Sequence, residues 1–162
     1  MYKLEHATPS DIPLIRQLAL DIWPQTYSAI LSKEQIDFML DMMYSEASLL
    51  KQMNEGAEFL ISYENDSPVA FASYQMTEAS LYKLQKIYVL ASQQGKGTGR
   101  LIIEYIISRV KEAGASRLQL QVNRYNNAKE FYNRLGFTVI GEADFDIGNG
   151  YFMNDYIMEK TL

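Results

Sequence analysis

The spacing of apolar residues changes period twice along this chain, and the order of those changes limits the fold more than any other feature. Up to Gly56 the apolar residues recur at helical intervals. From Glu58 to Val89 the chain is rich in aromatic and β-branched residues with partial alternation, and after a glycine cluster at Gln94–Arg100 the helical interval returns. Tyr2 to Ala7 reads as a short strand. Thr8-Pro9-Ser10-Asp11 then opens a helix, with Thr8 as its N-cap, Pro9 at its first position and Ile12, Ile15, Leu18 and Ile22 on one face. Ser32-Lys33-Glu34-Gln35 has capping-box form and starts a second helix striped by Ile36, Met39, Leu40 and Met43. A third helical stretch covers Glu46 to Met53.

Strands are expected at Glu58–Tyr63, Val69–Met76 and Leu81–Val89, so closely linked that they form an antiparallel meander. Leu101 to Ala113 is a strongly apolar helix with Gly114 as its stop. Leu118–Val122 is a strand, Asn126–Leu135 a helix that ends in the left-handed clasp Leu135-Gly136-Phe137, and Thr138–Phe145 and Tyr151–Lys160 form a last hairpin. The expected class is α/β: a mixed, mostly antiparallel central sheet of about seven strands, flanked by helices.

The 162 residues match one domain at roughly 150 residues per domain, and no repeat or linker divides them, so residues 1–162 are read as a single domain. An apolar share of 48% excludes a disordered chain. There is no cysteine, which excludes disulfides, thiolate metal sites and a cysteine-linked covalent intermediate. The first residues lack a signal-peptide pattern and no apolar run approaches the roughly 18 residues of a membrane span, so a cytoplasmic protein without a membrane partner is expected. The net charge of -5 argues against nonspecific nucleic-acid binding. Residues 83–134 nevertheless hold ten Lys/Arg against three Asp/Glu, while both flanks are acidic. An anion site in the middle with flanks that meet a cation is one reading; intermingling of the segments on folding is the other.

Gln94-Gly95-Lys96-Gly97-Thr98-Gly99-Arg100 is the segment that demands chemistry. Glycines let the backbone approach a ligand, and free N–H groups at a helix start attract phosphate oxygens. Lys96 and Arg100 stand at the end of the helix where the dipole disfavours cations unless an anion compensates them. The Gly-Lys-Ser/Thr ending of a Walker loop is missing, and the glycine spacing is not that of the dinucleotide fingerprint.

Gln94 to Gly99 reads Q-x-x-G-x-G behind the strand Leu84-Gln85-Lys86-Ile87-Tyr88-Val89. About 30 residues later comes Val122-Asn123-Arg124-Tyr125-Asn126-Asn127-Ala128-Lys129-Glu130-Phe131-Tyr132-Asn133-Arg134-Leu135-Gly136-Phe137. Together with Ala7–Asp11 and the final Asp155-Tyr156-Ile157-Met158, these motifs resemble the GNAT superfamily of N-acetyltransferases over nearly the whole chain. The resemblance implies acetyl-CoA as co-substrate and no metal. Its pyrophosphate would rest on the backbone of Gln94, Gly95, Lys96, Gly97, Thr98 and Gly99. Its pantetheine arm would bond the backbone around Ile87, Tyr88 and Val89 as an added strand, and Asn123 or Asn126 would meet the pantetheine amides, Asn126 being equally suited to cap a helix. Lys129 would reach the adenosine 3′-phosphate or lie in solvent.

Tyr132 matches the family's tyrosine near the thioester sulfur, the acid that protonates the departing thiolate. Many relatives carry a glutamate on the strand before the glycine loop as general base. Here the residues are Lys83, Gln85 and Lys86, with Glu78 and His6 as distant candidates. A strand bulge near Val89 would aim N–H groups at the thioester carbonyl.

On the acceptor side Trp23 and Tyr27 either wall a pocket or belong to the core, and Asp155 is a substrate contact. Glu34, Asp37 and Asp41 share one face of the second helix, and such a row is usually just a solvated face; with Asp144, Asp146 and Asp155 on the closing hairpin it makes a cationic acceptor more attractive than an anionic one. The Asp-Tyr-x-Met ending is also similar to bacterial spermine/spermidine acetyltransferases. The expected function is direct acetyl transfer to a primary amine, a small cation such as a polyamine first. A protein or peptide amino group, a non-catalytic acyl-CoA sensor and a nucleotide-binding domain are the alternatives. A homodimer through a sheet edge or helix face is compatible with the sequence, and no residue locates its interface.

Overall fold

A computed structural model describes residues 1–162. The elements run β1 (Tyr2–His6), α1 (Ile12–Tyr27), α2 (Lys33–Tyr44), α3 (Glu46–Asn54), β2 (Glu58–Glu64), β3 (Ser67–Glu78), β4 (Leu81–Val89), α4 (Thr98–Glu112), β5 (Arg117–Asn123), α5 (Ala128–Arg134), β6 (Thr138–Gly148) and β7 (Tyr151–Thr161). All seven strands join one sheet in the order β1-β2-β3-β4-β5-β7-β6. The meander β2–β3–β4 is antiparallel as expected, and β4 with β5 is the one parallel pair. No helix is long and apolar enough to cross a membrane.

Two cores flank the sheet. On one face α1, α2 and α3 bury Ile15, Trp23, Met39, Tyr44 and Leu49 against Phe59, Ile61 and Phe71. On the other, Ile102, Ile103, Ile106 and Val110 of α4 and Tyr132 of α5 pack on Leu84, Leu118, Leu120, Val122 and Met158. Side chains alternate between faces along a strand, so Asp155 and Met153 point to the α1 side while Tyr156 and Met158 point to the α4 side.

Several boundaries differ from expectation for local reasons. Thr8–Asp11 forms a 3-10 turn (Pro9–Asp11) before α1, with the Asp11 carboxylate accepting from the Thr8 N–H at 2.8 Å. Helix α4 starts at Thr98, three residues early, because Gly97 takes a left-handed conformation (φ 81°) that turns the chain straight into the helix. Helix α5 starts at Ala128 rather than Asn126. The bulge in β4 lies at Gln85, not near Val89: Ser73 faces Lys86 and Tyr74 faces Leu84, which leaves Gln85 unopposed.

Candidate active site

Strands β4 and β5 pair only from Leu81 to Leu84 and from Arg117 to Leu120. Beyond that each continues alone, β4 to Val89 and β5 to Asn123, so the middle of the sheet splits. The split opens a cavity of about 650 Å³ whose wall runs from Leu84 to Val89 on one side and from Leu120 to Val122 on the other. The bulge at Gln85 sits where the strands part.

The glycine loop closes one end. Gln94, Gly95, Gly97, Thr98 and Gly99 line the cavity. The N–H groups of Gly95, Gly97, Thr98, Gly99 and Arg100 find no backbone acceptor, while those of Gln94 and Lys96 turn back to Ala91 and Gln93. An array of free N–H groups at a helix start is an anion cradle. Gly99 serves packing instead: a Cβ there would lie 3.3 Å from the Phe131 ring, where α4 crosses α5. The two cations of the loop already have carboxylate partners, Lys96 with Glu64 at 4.0 Å and Arg100 with Glu104 at 2.8 Å. The anion-binding argument therefore rests on the backbone rather than on uncompensated charge. Gln93, which no sequence motif singles out, is buried under the loop. It donates to Glu64, accepts from the Tyr2 hydroxyl at 3.0 Å and stands 3.4 Å from the Thr98 hydroxyl.

The opposite wall comes from α5. Tyr132 is buried between Phe131 and Phe137 and lines the cavity. Burial raises its phenol well above the ordinary 10, with Tyr27 adding to the effect. The phenol is thus fully protonated at neutral pH and is a hydrogen-bond donor first; a thiolate formed in the same dry site is destabilised for the same reason, which helps the proton cross. Asn126 lines the cavity, and its side-chain oxygen accepts from the Ala128 N–H at 3.0 Å while its amide nitrogen stays free; the N-cap of α5 is Asn127, not Asn126. Asn123 is buried outside the lining, its side-chain oxygen held by the Tyr125 N–H at 2.9 Å. Lys129 lies 4.9 Å over the Tyr156 ring, away from the cavity, and the basic side chains on the wall are Lys86, Arg100 and Arg134.

At the α1 end Tyr27 and Thr26 line the cavity with Tyr88. The Tyr27 and Tyr88 hydroxyls are 3.0 Å apart, and burial pushes Tyr27 up to about 12. Trp23 is fully buried behind them, its ring 4.6 Å from Tyr27 and 5.5 Å from Tyr88, and supports the wall without reaching it. Lys86 is buried between Tyr44 and Phe59, donates to Gln52 at 2.6 Å and is lowered to about 8, first by desolvation and then by Lys83.

The acidic row does not converge on this site. Glu34, Asp37 and Asp41 are exposed on α2; Asp37 pairs with Lys33, and Asp37 and Asp41 border a shallow depression with Arg16 and Leu20 of α1. Asp144 pairs with Arg124 and Asp146 holds the Gly148 N–H in the hairpin turn. Asp155 is different: it is 1% exposed, on the α1 face, and neither carboxylate oxygen has a partner. The two distant base candidates are also outside the cavity wall, with His6 bonded to Tyr105 of α4 and Glu78 exposed at the far end of β3.

Comparison with known proteins gives one family. The model of the acetyltransferase (GNAT) domain matches residues 28–158. A 5-NmdU N-acetyltransferase of Pseudomonas phage PaMx11 is 32% identical over 113 residues, 69% of this chain and 76% of the relative. A [ribosomal protein bS18]-alanine N-acetyltransferase of Haemophilus influenzae is 32% identical over 103 residues, 61% of this chain and 65% of the relative. In fold, the chain is similar to a PaiA N-acetyltransferase from Thermoplasma acidophilum solved in complex with coenzyme A, with a TM-score of 0.85 over 100% of this chain and 99% of that one at 24% identity.

Proposed function

Because the chain belongs to the GNAT family of acetyltransferases, an acetyl-CoA-dependent N-acetyltransferase by that membership, we propose that the β4/β5 split is where it passes the acetyl group directly to a primary amine. The observation that carries the reading is the juxtaposition of five free N–H groups at one end of the split with the Tyr132 phenol on its wall. The pyrophosphate rests on the free N–H groups of Gly95 and of Gly97 to Arg100. The pantetheine arm lies along Ile87 to Val89, with the Asn126 amide beside it, and Arg100 and Arg134 stand nearest for the adenosine phosphates. Tyr132 donates its proton to the sulfur as the C–S bond breaks. The amine arrives from the α1 face past Tyr27, and with no cysteine to acylate, it attacks the thioester itself.

A small acceptor fits better than an extended peptide. The tip of the β6–β7 hairpin is docked on α2, with Tyr151 5.4 Å from Phe38 and the Phe152 carbonyl accepting from Gln35 at 2.9 Å. That contact ties the hairpin to the helices on the α1 side, which supports the reading that an extended peptide has no open groove there. With the α2 acids turned away, the case for a cationic acceptor such as a polyamine reduces to Asp155. The protein-amine reading is supported by the relative named for ribosomal alanine.

CoA release from acetyl-CoA, followed with a thiol reagent over spermidine, butylamine and a short peptide with N-terminal alanine, tests the proposal. Turnover is expected with the small amines, and Tyr132→Phe should lower it about 100-fold with CoA affinity kept. Turnover on the peptide alone would replace the acceptor, and an unchanged Tyr132→Phe rate would remove Tyr132 from its role.

A further inference from the structure

The cavity wall contains no aspartate, glutamate or histidine. An alkylamine is an ammonium ion at neutral pH and must lose a proton before its nitrogen can attack, so a transferase with this wall needs a proton acceptor from just behind it. Four acids or imidazoles near the site are already committed or misplaced. Glu64 is engaged by Gln93 and Lys96, Asp144 by Arg124, His6 by Tyr105, and Glu78 stands at the far end of β3. Asp155 remains. It sits in β7 opposite Asn123 of β5, where β5 runs on beyond its pairing with β4, and it faces the α1 side from which the amine comes. Both its oxygens lack a donor inside the protein, an arrangement that is costly for a buried carboxylate and is relieved by an ammonium. Tyr27, which lines the cavity, belongs to the α1-side core toward which Asp155 points, and the Asp155 charge adds to the rise of the Tyr27 phenol.

We propose that Asp155, just behind the wall, attracts the ammonium group of the acceptor and takes its proton before attack on the thioester. This rests on the reading of the split as an amine acetylation site. The proton passes from the ammonium nitrogen to an Asp155 oxygen, leaving a neutral amine. Its lone pair forms the C–N bond at the thioester carbon, the C–S pair leaves with sulfur, and sulfur takes the Tyr132 proton. The nitrogen then carries two protons; one of them passes to the Tyr132 oxygen and restores the phenol, the other stays as the amide N–H, and Asp155 releases its own proton to water. The charged and titratable groups that surround Asp155 are Lys83 of β4, Arg124 after β5, itself held by Asp144 of β6, and Tyr27 of α1. Burial raises the carboxyl to about 6, against the opposing pull of Lys83 and Arg124, so it is ionised yet basic at neutral pH.

The test is Asp155→Asn, which keeps the shape and removes the base, assayed from pH 5 to 10 with the most active amine among spermidine, butylamine and the alanine peptide. Turnover at pH 7 should fall about 100-fold or more with CoA affinity unchanged. The acidic limb of the wild-type rate profile, centred near pH 6, should vanish. The deficit should also close as pH approaches the amine's own pKa, about 10 for the alkylamines and about 8 for the peptide, where the acceptor loses its proton unaided. A merely structural residue would lower the rate evenly at every pH. An even loss, or an acidic limb that survives in Asp155→Asn, overturns the assignment alone. Absence of wild-type turnover with every amine, acetyl-CoA still binding, overturns the transferase reading and the assignment together.

Discussion

A carboxylate with two unpartnered oxygens inside a protein is destabilising when ionised, and Asp155 is such a group. Its ordinary value is 3.8 and its value in the fold about 6. Between those two the folded state still holds a proton that the unfolded chain has released. Stability therefore falls as pH rises from about 4 to 6, and the whole penalty is present above 6. Asp155→Asn should flatten that slope and raise stability at pH 7 by roughly 2 kcal/mol, allowing for what Lys83 and Arg124 lose. Urea midpoints at pH 4 and pH 7 for both proteins measure it, and a loss of stability in the variant at pH 7 would mean that the carboxylate is partnered. A substitution that stabilises the fold while it disables turnover marks a residue kept for chemistry. The Asp-Tyr-x-Met ending marked Asp155 as a substrate contact but not as a buried, unpartnered carboxylate, because Asn154, Tyr156 and their neighbours say nothing of where Lys83, Arg124 and Tyr27 lie. Tyr132 was legible by contrast, since its place one turn before Leu135-Gly136-Phe137 is a local relation that α5 preserves.

At the scale of elements, the start of α4 depends on backbone conformation more than on side chains. Gly95 and Gly97 have φ of 78° and 81°, and a Cβ at either would meet nothing within 4 Å. Packing would admit alanine; the left-handed conformation disfavours it by roughly 1–2 kcal/mol. Gly97→Ala should relax the loop, turn some of the five N–H groups away from the pyrophosphate and weaken CoA binding about tenfold. Calorimetric titration with CoA checks it, and an unchanged affinity would mean that the cradle does not hold the phosphates. The glycine spacing was readable in the sequence because left-handed turns need glycine whatever surrounds them. The bulge was misplaced by four residues, since a bulge is a mismatch between two strands and neither strand carries it alone.

For the whole molecule, the split is a cleft between two half-sheets joined through the Leu81–Leu84 pairing, the α4 and α5 core and the contact of the β6–β7 hairpin with α2. A ligand that spans from the glycine loop to α5 fastens both halves and binds the folded state alone. CoA at a hundred times its dissociation constant should add about 2.7 kcal/mol and raise the melting temperature by about 5–10 °C. ATP or NAD at the same concentration should leave it within a degree. A thermal melt with each ligand checks both, and an equal shift with NAD would reopen the nucleotide-binding reading.

The sequence by itself determined the order of elements, the antiparallel meander, the glycine cradle and the tyrosine of α5, all of which depend on residues within a few positions of one another. Tertiary structure decided which charges meet. The acidic row of α2 turned outward because its helix buries the Ile36, Met39 and Leu40 face in the core. Asp155 turned inward because strand alternation puts it on the α1 face, between Ala143 of β6, 12 residues earlier, and Asn123 of β5, 32 residues earlier, and the charge of Lys83, 72 residues earlier, reaches it only across the sheet. Charge pairing falls off with distance in space, and sequence separation carries no record of that distance until the sheet has formed.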